Sequence, residues 1–335
     1  MIRMAINGFG RIGRALTRIG VCSPDISIVA VNDLVNIKNL AYMLKYDSVH
    51  GKYAHDIHCC GNQIIVKNKS IKVFQRRNPL LLPWRKLGID VVVEATGRFR
   101  NVNSAFLHRL AGAKKVVITA NPQNADHKKI PVIIFGVNEK SYKSEPFISA
   151  GSCSANCAGP LIKILHEKLV IKKGFMTAIH AYTKDQRILD SSHSKDWRRG
   201  RAGPCNIVPA QSDAALILSR IISGLENKIN GMTIRVPVPD GSLINFVCEV
   251  ENSIDRKTLN SMIKHKANTE LSEILHYCDK NLVSKDIVNN KHSSILDSLL
   301  TDVSSESMLR IVCWFDHEYG YAARVLDLVK MIGKR

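Results

Sequence analysis

A glycine-rich turn near the N-terminus constrains this chain more than any other feature. Gly8-Phe9-Gly10-Arg11-Ile12-Gly13 is a GxGxxG run. Alone such a run is weak, because any tight turn recruits glycine. Here an apolar run over residues 2–7 leads into it, and apolar spacing over 12–20 fits a helix after it. The β-branched run at 26–31 follows and ends on Asn32-Asp33, with Asp33 twenty residues past Gly13. Strand, glycine turn, helix and strand within about 30 residues make a βαβ unit. The glycines allow close backbone approach to a pyrophosphate, and the helix N-terminus offers N–H donors and a positive dipole end. Asp33 is placed to accept from ribose hydroxyls and to repel a 2′-phosphate, which favours NAD over NADP.

Further buried-strand candidates are residues 64–66, 91–93, 115–119 and 132–136, with helical patterns near 37–45 and 103–112. Apolar strands alternating with helices predict a doubly wound parallel sheet, an α/β architecture. Thr96-Gly97 and Thr119 close two of these strands, where such a sheet gathers cofactor contacts. Ordinary strand-end turns explain them equally well. After about residue 150 the texture changes. The spacing predicts helices over 161–169, 214–225 and 256–267, a strand over 174–182, and antiparallel strands over 232–238 and 243–250. Residues 183–207 read as a long polar loop and 322–332 as a C-terminal helix. Two domains also fit a length of 335 residues.

The formal net charge is +19, and all of it lies in residues 1–200. Such asymmetry points to anionic partners: a dinucleotide, a phosphorylated substrate, nucleic acid or an acidic surface. A solvated basic surface is the plain alternative. No run of about 18 apolar residues occurs, so no membrane span is expected, and a cytoplasmic location is the default. Nine cysteines at irregular spacing indicate neither a disulfide framework nor a zinc ribbon, and no metal site is expected.

Cys153 lies in Ser152-Cys153-Ser154-Ala155-Asn156-Cys157, which precedes a helix expected to begin near Gly159-Pro160. That position predicts a lowered thiol pKa, with Cys157 as buried filler. His180 ends the next strand, so Cys153 and His180 are a nucleophile and base in outline. Arg187, Lys195, Arg198, Arg199 and Arg201 crowd the following loop, and Arg235 ends a later strand. Clustered arginines suit phosphate, while a solvated loop or an RNA patch around Trp197 remain open readings.

Taken together, the chain resembles the glyceraldehyde-3-phosphate dehydrogenase family along essentially its full length. The carrying segments are residues 5–14, 45–51, 94–97, 152–157, 180–183, 206–209, 235–237 and 314–321. The resemblance implies a homotetramer. It also implies a Rossmann-type cofactor domain from residues 1–151 with 318–335, and an α+β catalytic domain, 152–317, with a mostly antiparallel sheet. It assigns Cys153 as the nucleophile that forms a thiohemiacetal and then a thioester, with His180 as base. Glyceraldehyde 3-phosphate would be oxidised with NAD and inorganic phosphate to 1,3-bisphosphoglycerate. The cofactor residues implied are Gly8, Phe9, Gly10, Arg11, Ile12, Gly13, Asp33, Leu34, Thr96, Gly97, Thr119, His317 and Tyr321. Thr183, Asp185 and Arg235 match the site for the substrate's phosphate. Ser152, Ser154, Arg199 and Ser212, with Asp213 in place of a glycine, match the site for the attacking phosphate.

Several residues depart from the family's pattern. Ala150-Gly151 and Ser154-Ala155 replace family residues around the nucleophile. Asp213 brings a carboxylate to a phosphate site. His317 stands where the family has an asparagine that fixes the nicotinamide carboxamide, and Asp240-Gly241-Ser242 stands for Asn-Val-Ser. Ser192 occupies a position where NADP-tolerant members carry serine, while Asp33-Leu34 is the NAD-type pattern. An erythrose-4-phosphate dehydrogenase-like enzyme with hydrolytic deacylation, and a diverged paralogue that binds nucleic acid or a surface, are the alternatives.

Overall fold

The computed structural model describes residues 1–123, 126, 129–194 and 196–334. Two compact units divide the chain: Met1–Phe135, Glu139–Ser152 and Ala322–Arg335 form one, Gly136–Asn138 and Cys153–Tyr321 the other.

In the first unit the order is β1 (Ile2–Asn7), α1 (Arg11–Gly20), β2 (Ile26–Asn32), α2 (Ile37–Lys45), β3 (Ile57–Cys60), β4 (Gln63–Val66), β5 (Lys69–Phe74), β6 (Val91–Glu94), α3 (Val102–Leu110), β7 (Lys115–Ile118) and β8 (Phe147–Ser149). Among the described residues these strands make one sheet in the order β3-β4-β5-β2-β1-β6-β7-β8. Strands β5 to β8 along this path pair in parallel, as a doubly wound Rossmann-type sheet requires. The run at 64–66 instead belongs to an antiparallel edge, β3-β4-β5, joined by tight turns. Residues 132–136 are not a strand. Val132 makes one bridge to Ser149, because β8 is three residues long and Pro131 has no N–H to donate.

A buried polar chain crosses the carboxyl ends of β1, β2 and β6, where Asn7 is in register with Asn32 and with Glu94. Asn32 Nδ2 donates to Asn7 Oδ1 at 2.7 Å, and Asn7 Nδ2 donates to Glu94 Oε2 at 2.5 Å. Trp84 Nε1 donates to His108 Nδ1 at 3.1 Å, which leaves His108 Nε2 as the donor to Glu94 Oε2 at 3.2 Å. Glu94 Oε1 accepts from the Thr96 N–H at 2.8 Å. Every link lies in or beside the apolar core, where an unpaired polar group is costly.

The second unit contains α4 (Cys153–Leu169), β9 (Ile171–Ala181), β10 (Val208–Gln211), α5 (Ala214–Ile221), β11 (Ile229–Val236), β12 (Ser242–Val250), α6 (Arg256–Asn268), β13 (Leu275–Cys278), α7 (Ser284–Ile287), β14 (Ser294–Asp297), β15 (Asp302–Ser304) and β16 (Met308–Phe315). Its sheet runs β10-β11-β9-β12-β16-β14-β13, with β15 on β16, and most pairs are antiparallel. The two strands expected at 232–238 and 243–250 are not partners. Strand β9 lies between them, and β11 runs parallel to it. Helix α5 stops at Ile221 rather than 225, since Ile222 takes up extended backbone. Residues 183–207 carry two 3-10 turns, Trp197–Gly200 and Gly203–Cys205, and Lys195 lies outside the described residues. The last helix, α8 (Tyr319–Gly333), joins the first unit from Ala322 onward, where Leu326 packs near Gly20.

Glu94→Ala strands Asn7, His108 and Thr96 at once. Its expected cost is about 3 kcal/mol, read as a lowered midpoint in chemical denaturation with the slope unchanged.

Candidate active site

In the first unit, α1 starts directly from the glycine turn, with Gly10 as N-cap and no side chain capping it. Gly8 has φ +97°, and a Cβ there would stand 2.7 Å from the Thr96 nitrogen. A Cβ on Gly13 would stand 2.2 Å from the Gly8 carbonyl oxygen, so strand and helix approach as only glycine allows. A Cβ on Gly10 would meet nothing within 4 Å, so the space over the turn is open. Asp33 Oδ2 accepts from the Phe9 N–H at 2.8 Å, which holds the acid beside the turn. Leu34 is half exposed next to it. Arg11 pairs with Asp47 at 2.6 Å, and the Thr119 hydroxyl donates to the Glu94 carbonyl at 3.1 Å. Thr96 directs its hydroxyl to the Glu94 carboxylate, and Gly97 has φ +71°. Ile12 is half-buried in the first turn of α1. The open backbone cradle and its acid fit a dinucleotide.

In the second unit, register builds the reactive centre. Parallel pairing sets Arg235 of β11 opposite His180 of β9. Antiparallel pairing brings the start of β12 and the end of β16 to the same sheet end, with Ser242 opposite Phe315. Helix α4 packs across β12, β14 and β16 and begins at Cys153. Cys153 Sγ lies 3.4 Å from His180 Nε2. His180 Nδ1 sits 2.7 Å from the Ala181 carbonyl oxygen and donates to it, so Nε2 is the acceptor facing the thiol. The Phe315 ring packs edge-on against His180 at 5.6 Å.

The Cys153 thiol is not acidified by its place at a helix start. Burial pushes the Cys153 thiol above its ordinary value, more than the Arg235 charge and the Ser154 N–H and hydroxyl pull it down. Burial, then the Arg235 and His317 charges, hold His180 well below the usual imidazole range. The resting pair is therefore a thiol and a neutral imidazole. Burial also keeps the Tyr321 phenol well above its ordinary range, with the Cys153 charge adding to it.

The arginines are placed unequally. Arg235 is largely buried, donates from one Nη to the Ala181 carbonyl at 3.3 Å, and keeps a buried Nε without a hydrogen-bond partner. Arg199 pairs with Asp185 at 2.5 Å, and His193 lies 3.5 Å from the same carboxylate. Burial opposes ionisation of Asp185, but Arg199 and then His193 hold its carboxyl below the ordinary range. Thr183 donates N–H and hydroxyl to Gln186 Oε1, at 2.8 and 3.3 Å. Ser212 accepts from the Ala214 N–H at 3.3 Å, and Asp213 is exposed at the start of α5 without capping it. Ser154 is buried in the first turn of α4, and Ser152 ends the preceding segment. Arg187, Arg198, Arg201 and Trp197 are exposed on the loop. Cys157 is buried as expected, but it also meets Cys313 of β16, Sγ to Sγ at 3.4 Å.

One grouping was not visible in the sequence. His317 Nδ1 lies 2.7 Å from Asp240 Oδ1, and the His317 ring stands 4.9 Å from the His180 ring.

Both parts of the chain match models of one protein family. Residues 2–102 match the model described as the NAD binding domain of glyceraldehyde 3-phosphate dehydrogenase, and residues 152–317 match its C-terminal domain. The chain belongs to the glyceraldehyde-3-phosphate dehydrogenase family. It is 43% identical to glyceraldehyde-3-phosphate dehydrogenase of Geobacillus stearothermophilus over 336 residues, covering 100% of this chain and 99% of that one. It is 42% identical to glyceraldehyde-3-phosphate dehydrogenase 1 of Bacillus subtilis, covering 100% and 99%. Identity to glyceraldehyde-3-phosphate dehydrogenase B of Aspergillus oryzae is 40%, with 98% of each chain covered. Membership of the glyceraldehyde-3-phosphate dehydrogenases makes this an NAD-dependent oxidoreductase, and the glycine cradle with Asp33 fits that cofactor. No helix among the described residues is long and apolar enough to cross a membrane.

A neutral His180 sets a pH dependence of stability. Its native pKa is depressed, so the unfolded imidazole, with a pKa of about 6.5, binds a proton that the native one refuses. Stability then falls as pH drops below that value, by at most about 2 kcal/mol between pH 7 and 5. His180→Gln should lose about that much less over the same interval, measured by chemical denaturation at both pH values.

Proposed function

We propose that this enzyme catalyses the phosphorylating oxidation of glyceraldehyde 3-phosphate to 1,3-bisphosphoglycerate, as a cytoplasmic homotetramer in glycolysis and gluconeogenesis. The observation that carries the reading is the Cys153–His180 contact at 3.4 Å with Nδ1 committed to the Ala181 carbonyl. A neutral Nε2 can take the thiol proton as the sulfur adds to the aldehyde carbon. The carbonyl oxygen becomes the hydroxyl of a thiohemiacetal on Cys153, and His180 returns the proton to it. NAD, when bound, is the hydride acceptor. His180 takes the hydroxyl proton as the thiohemiacetal becomes a thioester. A phosphate oxygen then attacks the thioester carbon, the carbon–sulfur bond breaks, and the departing thiolate recovers its proton. In this reading the Cys153 N–H, at the start of α4, would donate to the carbonyl oxygen.

Arg235 supports a phosphorylated substrate, because its buried unpartnered Nε is a donor that a phosphate oxygen would satisfy. Thr183 and the Asp185-held Arg199 lie on the same loop. In this reading Thr183, Asp185 and Arg235 take the substrate's phosphate, while Ser152, Ser154, Arg199 and Ser212 take the attacking one. In the same reading Gly8–Gly13, Asp33, Leu34, Thr96, Gly97 and Thr119 would hold NAD, with His317 and Tyr321 serving its nicotinamide. Asp213 is exposed, and its carboxylate repels the attacking anion.

Initial rates of NADH formation from glyceraldehyde 3-phosphate test this directly. They should require inorganic phosphate, vanish in Cys153→Ser, and fall about 10²–10⁴-fold in His180→Gln. Turnover indifferent to phosphate, or faster with erythrose 4-phosphate, would overturn the assignment. Asp213→Gly should lower the KM for phosphate several-fold while the KM for the aldehyde stays put.

A further inference from the structure

Two departures from the family's pattern meet beside the base. Asp240 and His317 are 77 residues apart, and each stands where the resembled family carries asparagine. Register brings them together, Asp240 just before β12 and His317 just after β16. His317 Nδ1 is 2.7 Å from Asp240 Oδ1, and Asp240 is held by the Gly241 N–H at 2.7 Å and the His317 N–H at 3.3 Å. Both side chains are buried, so their charges are poorly screened.

We propose that Asp240 and His317 are a positioning pair for the catalytic base, Asp240 keeping a protonated His317 against the His180 ring so that a fixed positive charge faces the imidazole that receives the Cys153 proton. This rests on the assignment of His180 as base. Within the second unit, the titratable or charged groups facing His180 are Cys153 from α4, Arg235 from β11 and His317. Those facing His317 are Asp240, Glu318 and Asp316, with Glu318 Oε1 3.8 Å from Nε2. Burial disfavours a charged His317, yet the Asp240 carboxylate 2.7 Å from Nδ1, with the Glu318 and Asp316 charges, raises its proton affinity above the ordinary imidazole value. Burial likewise opposes ionisation of Asp240, and His317 holds its carboxyl below the ordinary range. The His317 ring stands 4.9 Å from the His180 ring, and its charge acts on that imidazole. Beside it, the imidazole sheds its proton early and is a ready acceptor at lower pH.

The test is the pH profile of Cys153 alkylation by iodoacetamide, followed by mass spectrometry of the Cys153 peptide in the full-length protein. It needs neither aldehyde nor NAD, so it stands apart from the assay of the assigned reaction. The first proton lost from the Cys153–His180 pair leaves less readily once the neighbouring cation is gone. His317→Asn and Asp240→Asn should each move the acid limb up by about one pH unit. The double variant should move it no further than His317→Asn alone. An acid limb that stays in place in folded variants, or that moves down in Asp240→Asn, would overturn the proposal. If one single variant does not fold, as judged by its melting curve, the other carries the same test.

Discussion

The candidate site of this protein depends on strand register in the second unit. Parallel pairing of β11 with β9 and antiparallel pairing of β12 with β9 and β16 are ladder constraints, each fixed over seven or more residue pairs. Slipping any one by a single residue would turn its side chains to the other face. At the one end where these strands finish or begin stand His180, Arg235, Asp240 and His317, none adjacent in sequence to another. Helix α4 then needs only to present its first residue to complete the centre.

Much of the fold was legible because its signals are local. The glycine turn, the β-branched runs and the acid after β2 each act within a few residues of themselves, and the Rossmann-type sheet follows. Failures came where a neighbour distant in sequence decided the outcome. Residues 132–136 look like a strand, but β8 offers them only one bridge. Strands β11 and β12 run antiparallel, as their pattern suggests, but β9 takes the place between them. The Asn7–Glu94–His108–Trp84 chain had no sequence signature, since its members are unremarkable polar residues until parallel register stacks them.

The site was legible in a similar measure. A cysteine at a helix start and a histidine at a strand end suggested a pair, and the contact itself is a product of packing. A helix dipole acting alone would acidify the Cys153 thiol. Burial is the larger effect, and it reverses the sign. Asp240 and His317 were each visible as departures, whereas their meeting was not. Resemblance supplied residue roles that spacing alone left open.

The 2.2 Å separation between a built Gly13 Cβ and the Gly8 oxygen says that turn and helix are locked backbone to backbone. Those atoms belong to the chain itself, so the conformational entropy of shaping the phosphate cradle is lost once, at folding, and not again at each turnover. An enzyme that must release and rebind its dinucleotide in every cycle gains by this. The cradle resets without reordering, and exchange is governed by the contacts made rather than by rebuilding the loop.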